Sequence, residues 1–228
     1  MKKRHEVIKE PRNLLLSSFY LAPVEYYAAL FHAECATIEI HDNYQKQSYR
    51  NRCVIGGANG AMTLSIPIEK PDREHTSIKD IRVSEHGNWR HLHWNAIISA
   101  YNSTPFFPYY EDDFRPFFEK RRHFLHDFNE ELRVLVCRLL GIETDIAYTF
   151  EYVKTAAADC IDLREAIHPK RESHFEAPPY YQVFSEKHGF QPNLSIIDLL
   201  FNLRNEARLY LLTSTHPSMK KTPYGFMK

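Results

Sequence analysis

Residues 13–40, NLLLSSFYLAPVEYYAALFHAECATIEI, constrain this chain more than any other stretch. NLLLSSFY (13–20) reads as a buried strand. VEYYAALFHA (24–33) reads as a short helix, with Pro23 well placed at its first turn. ATIEIH (36–41) reads as a second strand, Ile38 and Ile40 sharing a face. Strand, helix and strand in that order predict a βαβ unit, the start of a Rossmann-like sheet. Such sheets take ligands at the carboxyl ends of their strands. Residues 18–25 and 42–52 should meet there, and Tyr20 is a candidate ligand contact.

RNRCVIGGANGAMTLSIPI (50–68) predicts a β-hairpin turning at Asn59-Gly60. Met62, Leu64, Ile66 and Ile68 alternate with Thr63, Ser65 and Pro67, so one face is expected buried. IKDIRVS (78–84) is expected as a further strand. Helical spacing then takes over. Trp89, Leu92, His93, Ala96, Ile97, Ala100 and Tyr101 form one apolar stripe. Phe114, Phe117 and Phe118 mark a second helix. Residues 124–139 mark a third, ended by Gly141. TDIAYTF (144–150) is expected as a strand, 155–194 as an irregular active-site-type loop or lid, and LSIIDLLFNLRNEARLYLL (194–212) as one last helix. The fold class is therefore α/β: a single domain over 1–228, with a mixed sheet and a hairpin covered by a largely helical second half. Residues 1–12 and 213–228 are expected to be peripheral.

The 29 basic and 29 acidic residues balance, so no surface-wide attraction for nucleic acid or anionic membrane is expected. With 13 Pro and only 7 Gly, a long Gly-rich nucleotide loop is not expected. Cys35, Cys53, Cys137 and Cys160 have neither metal-ligand nor redox spacing. They suit a reducing cytosol. No cofactor, metal or transmembrane segment is predicted, and the expected location is cytoplasmic.

Several blocks, FYLAPVEYY, YQKQSYRNRCVI, MTLSIPI, the Trp89–Phe107 stretch containing W-x-x-x-HW, and PNLSIIDLLFN, together resemble the WbqC-like protein family. They stand in the family's order from about residue 15 to 205. The resemblance implies a bacterial cytoplasmic protein whose relatives occur in surface-polysaccharide (O-antigen type) gene clusters, and it implies no particular reaction. Many relatives carry Gln-Pro near Ser17-Ser18 and a longer Gly-rich segment before the last helix. By that comparison this chain is a shortened variant.

Arg50, Asn51 and Arg52 are the leading binding residues. On a strand, Arg50 and Arg52 would share a face, and two guanidiniums can clamp a phosphate or carboxylate. The alternative is a set of salt bridges to Glu39 or Asp42. Tyr49, Tyr44 and Gln45 lie beside them and could hold a sugar or base. His93 is either a satisfied core histidine or a general base oriented by Asp198. Asp198 is equally a helix-start acid behind a Ser195 cap. Asn202 lies one turn on and would share its polar patch. His168, Lys170, Arg171 and His174 form either an anion patch or a solvated loop, and Tyr180 is expected to pack.

These readings point to a protein that binds an anionic small molecule, such as a nucleotide-activated sugar or an activated acyl donor, for group transfer. A second reading is an interaction or scaffold protein using the aromatic block 101–118 and the loop 165–192. Nucleotidyl transfer fits only in shape, because the first turn offers Pro23, Tyr26 and Tyr27 and no paired histidines.

Overall fold

The computed structural model describes residues 13–71, 75–214 and 217–219. The basic start at 1–12, part of the charged loop 70–77 and most of the tail 213–228 lie outside them.

The opening segment forms the predicted βαβ unit: β1 Asn13–Ser17, α1 Val24–His32 and β2 Cys35–Glu39. β1 and β2 pair in parallel, Leu14 beside Ala36 and Leu16 beside Ile38. The hairpin is β3 Arg52–Gly57 and β4 Gly60–Ser65. Helices follow at α2 Trp89–Tyr101, α3 Phe107–Glu119 and α4 Leu125–Leu140, the last closed by Gly141 in the left-handed region. β5 Asp145–Tyr148 joins β2, and β6 Cys160–Asp162 joins β1. The four parallel strands run in the order β5-β2-β1-β6, with the hairpin as its own two-stranded sheet. The chain closes with α5 Ser185–His188, α6 Ile196–Leu203 and α7 Glu206–Thr213.

The α/β class, the βαβ start, the hairpin and the helical second half are as expected. Several details differ. Residues 78–80 are a turn of 3-10 helix, and 82 and 83 make only isolated bridges to Phe124 and Ile68. The hairpin turns on Ala58-Asn59, since Gly57 pairs with Gly60, and Gly60 carries the positive φ of 101°. Met62 is exposed near the hairpin tip, beyond the reach of the core that covers Leu64 and Ile66. Leu92 is exposed on α2, where Trp89, His93, Ile97, Ala100 and Tyr101 carry the buried stripe. The last helix breaks in two at Arg204, whose φ of 50° no helix can hold. β6 lies inside the stretch read as irregular, because three residues are too few to show a period.

The aromatic block 101–118 is mostly core, with Tyr109 left 61% exposed. Tyr101, Phe107, Tyr110 and Phe114 pack around Phe201 of α6 at ring separations of 5.2–6.0 Å. Aromatic contacts of this kind add about 0.5–1.5 kcal/mol each beyond the area they bury. This packing seats α6 against α2 and α3. No described helix is long and apolar enough to cross a membrane.

Candidate functional site

The carboxyl ends of β1, β2 and β6 converge on Arg50. It does not sit on the strand: β3 begins at Arg52, and residues 49–51 form the turn before it. The Tyr20 amide donates to the Tyr49 carbonyl at 2.9 Å, which ties that turn to the exit of β1. Arg50 is therefore carried into the sheet edge instead of sharing a strand face with Arg52. Its side chain is 1% exposed. Nη2 donates to Ser17 Oγ at 3.2 Å, to the Asp42 carboxylate after β2, and to Glu165 Oε1 after β6 at 3.4 Å. The sequence offered Glu39 or Asp42 as partners, and the structure selects Asp42. Glu39 instead meets Arg164 at 3.5 Å and accepts from Thr149 Oγ1 at 2.8 Å.

Glu165 also reaches Arg171 at 3.7 Å and accepts from Gln45 Nε2 at 2.6 Å. The two basic stretches singled out from the sequence, 50–52 and 168–171, thus meet across one carboxylate. Arg52 belongs to the same group. Burial pushes the Tyr44 hydroxyl pKa up, and Arg52 and then Arg50 partly offset it. Three guanidiniums (Arg50, Arg52 and Arg171) face two carboxylates (Asp42 and Glu165). Arg164, paired with Glu39 and Asp162 at the same strand ends, brings the guanidiniums and carboxylates there into balance.

The arrangement leaves donors unused. Arg50 Nε and Nη1 and Arg52 Nε are buried without a hydrogen-bond partner, and so are Asn51 Oδ1 and Asn129 Oδ1. Asn129 touches this turn directly, donating from Nδ2 to the Arg50 carbonyl at 2.8 Å. Native interiors rarely leave such groups unpaired, so each needs a physical reason. Of the nine unpartnered buried side-chain atoms among the described residues, five belong to these four residues.

A family model for the WbqC-like protein family matches residues 18–171. The chain belongs to the WbqC-like protein family. The matched span contains every charged residue of the Arg50 cluster, with Ser17 just before its start, whereas α6 lies beyond it. A relative in Mycobacterium tuberculosis, the "Uncharacterized protein Rv1507c", is 26% identical over 193 residues, covering 74% of this chain and 83% of its own length. No solved structure matches the chain.

The remaining candidates of this WbqC-like chain fall in two other places. Tyr20 and His93 form a buried pair with hydroxyl and Nδ1 3.0 Å apart, Tyr20 packing on Phe128 and His93 on Trp89. Burial lowers the His93 pKa to about 4, which keeps the ring neutral. Asp198 does not orient it; the structure pairs His93 with Tyr20. Tyr49 packs on Phe19, and Asn51 Nδ2 donates to the Ile66 carbonyl at 2.8 Å. Cys53 is buried, and that burial pushes its thiol pKa up, as for a structural cysteine.

Asp198 stands in the first turn of α6 with Ser195 at the N-cap position, as expected, but the serine side chain does not cap. The Ser195 hydroxyl is spent on the Leu21 carbonyl at 2.7 Å and makes no cap bond. The Asp198 carboxylate instead accepts from the hydroxyls of Tyr101 at 3.0 Å and Tyr180 at 2.6 Å, and from Gln182 Nε2 at 2.9 Å. The Tyr180 ring also packs edge-on against Phe190 and Tyr210. The irregular segment is thereby latched to α6.

Sequence reasoning missed Asn129 and the Ser18–His126 contact of 3.2 Å at the same edge. Both come from α4, which nothing in the pattern of residues 124–139 ties to β1. Among the described residues no three His, Cys, Asp or Glu side chains group as metal ligands.

Proposed function

We propose that the protein binds an anionic small molecule at the carboxyl edge of its parallel sheet and uses it for group transfer in making bacterial surface polysaccharide. The ligand class is a nucleotide-activated sugar or an activated acyl donor. One observation carries this reading: Arg50, 1% exposed, has Nε and Nη1 without partners, beside the unpartnered Nε of Arg52. Charged donors so placed suit phosphate or carboxylate oxygens, which accept from guanidinium in fixed geometry. The position at the strand ends supports the same class. Glu165, whose side chain is 45% exposed, is the carboxylate an incoming anion would displace.

The test is calorimetric titration of the wild type with phosphate, pyrophosphate and a nucleotide-activated sugar. Saturable binding of the pyrophosphate-bearing ligands, weakened at least tenfold in Arg50→Lys, is the expected result. Absence of binding by all three ligands, or equal binding in the variant, overturns the reading. Group transfer is checked separately by release of nucleoside diphosphate from the bound sugar donor.

A further inference from the structure

A cavity lies away from the Arg50 cluster, between α2, α6, the hairpin and the loop 182–194. It measures about 10 Å³ and is bordered by Gly56, Thr104, Gln182, Asp198 and Asn202. That is room for one water-sized group. Its surface is mainly apolar, and a few polar side chains border it. Asp198 is 2% exposed, and the hydrogen-bond donors on its carboxylate are the neutral Tyr101, Tyr180 and Gln182. Among the described residues no cation pairs with it. Lys187 and His188, in the same loop, turn instead to the Ala58 carbonyl at 2.7 and 3.0 Å. A buried carboxylate with only neutral partners favours a cationic neighbour.

Asn202 gives the second, independent sign. It is 3% exposed, and its Nδ2 donates to the Asp198 carbonyl at 2.8 Å, but its Oδ1 has no partner. Thr104 donates its hydroxyl proton to the Tyr101 carbonyl at 2.7 Å, which leaves its own lone pairs free to accept. Gly56 keeps the space open. A Cβ there would come within 3.2 Å of Asp198 Oδ1 and 3.1 Å of Leu194 Cδ1. Asp198, Asn202 and Thr104 all border the cavity and place a carboxylate, an amide oxygen and a hydroxyl oxygen around a space of water size.

We propose that this cavity binds the ammonium head of a primary amine, with the rest of the molecule leaving past Val183, Phe184 and Gly189. An ammonium group fits one water's volume, carries the charge the carboxylate lacks, and has three N–H donors for the three acceptors. The site shares no residue with the Arg50 cluster, so either proposal can fail without the other.

The experiment titrates the isotope-labelled wild-type protein with methylammonium chloride and follows the Gly56 backbone amide and the Asn202 side-chain amide by NMR. Sodium chloride, methanol and tetramethylammonium chloride serve as comparisons. Methylammonium is expected to give saturable shifts at both reporters. Tetramethylammonium has no N–H donor and is too large, methanol has no charge, and neither should saturate. In Asn202→Leu the methylammonium affinity should fall at least tenfold. The same unsaturating drift with all four additives would mean that the cavity holds only water, and would overturn the proposal. Unchanged affinity in Asn202→Leu would also overturn it. If that variant does not fold, the wild-type contrast between methylammonium and methanol still decides.

Discussion

Glu165 holds its carboxylate 3.4 Å from the Arg50 guanidinium, across 115 positions of sequence. The contact joins the segment after β6 to the turn before β3. It places an exposed acid on a buried base. Such a pair is a poor source of stability, because the exposed partner keeps most of its hydration. It is a good placeholder for a ligand anion.

Glu165→Gln should therefore tighten binding of pyrophosphate-bearing ligands by up to about fivefold, since an exposed pair is worth about 0–1 kcal/mol. Folding stability should change by less than about 1 kcal/mol. Calorimetric titration and urea denaturation measure the two effects. A loss of affinity of similar size would instead make Glu165 a ligand contact.

The βαβ start was legible because strand and helix periods differ sharply over residues 13–40. The three main helices were legible for the same reason. The site was legible only in part. Arg50, Asn51 and Arg52 stand out as charges at a strand start, but the turn that buries Arg50 depends on the Tyr20–Tyr49 backbone bond, which is set by tertiary packing. Asn129 reads as one more polar residue of α4, and its role appears only when α4 docks on the turn. Ser195-x-x-Asp198 marked the start of α6 but not the use of its side chains. The pattern is that of a cap, but the Leu21 carbonyl competes for the serine hydroxyl and wins. The break at Arg204 left no mark, because the apolar period runs on through it.

His93 should make folding depend on pH. Burial holds its pKa at about 4, below the ordinary 6.5 of an unfolded chain. The unfolded state then binds more protons between those values. Its contribution is full above about pH 6.5 and is lost as pH falls toward 4, by roughly 2–4 kcal/mol. Denaturation midpoints at pH 7.5, 6, 5 and 4 should show that slope, and His93→Phe should flatten it. An equal slope in the variant would place the proton uptake elsewhere.

Ile97 is 1% exposed on the buried stripe of α2. Ile97→Ala should cost about 2–5 kcal/mol by removing buried methylene groups and leaving a cavity. Chemical denaturation reads this directly. A loss below about 0.5 kcal/mol would show that α2 is not part of the cooperative core.

The latch on the irregular segment is testable through Tyr180, whose hydroxyl gives Asp198 its shortest bond, 2.6 Å. Tyr180→Phe keeps the ring contacts with Phe190 and Tyr210 and removes only that donor. The cost should be about 1–3 kcal/mol, the penalty for an acceptor losing a partner in a buried site. Limited proteolysis should cut within 165–192 several times faster in the variant than in wild type. Faster cutting inside 89–140 instead would mean that the bond supports the core and not the segment.

Arg50 separates structure from binding most cleanly, because its nitrogens divide the two roles. Nη2 alone makes the contacts to Ser17, Asp42 and Glu165, while Nε and Nη1 stand without partners. Arg50→Met removes both sets. Asp42, with a side chain 13% exposed, would then keep its charge without the guanidinium beside it. Breaking a buried pair from one side costs about 3–5 kcal/mol. Arg50→Lys keeps one cation near Asp42, so its cost should stay below about 2 kcal/mol. The lysine has no planar fork, however, and cannot reproduce the directions of Nε–H and Nη1–H. Its affinity for pyrophosphate-bearing ligands should therefore fall at least tenfold even while the fold holds. Denaturation midpoints and calorimetric titrations on wild type and both variants give the answer together. Should Arg50→Lys lose stability as heavily as Arg50→Met, and the wild type bind no anion, Arg50 is a structural pin for the strand ends and the anion site is wrong.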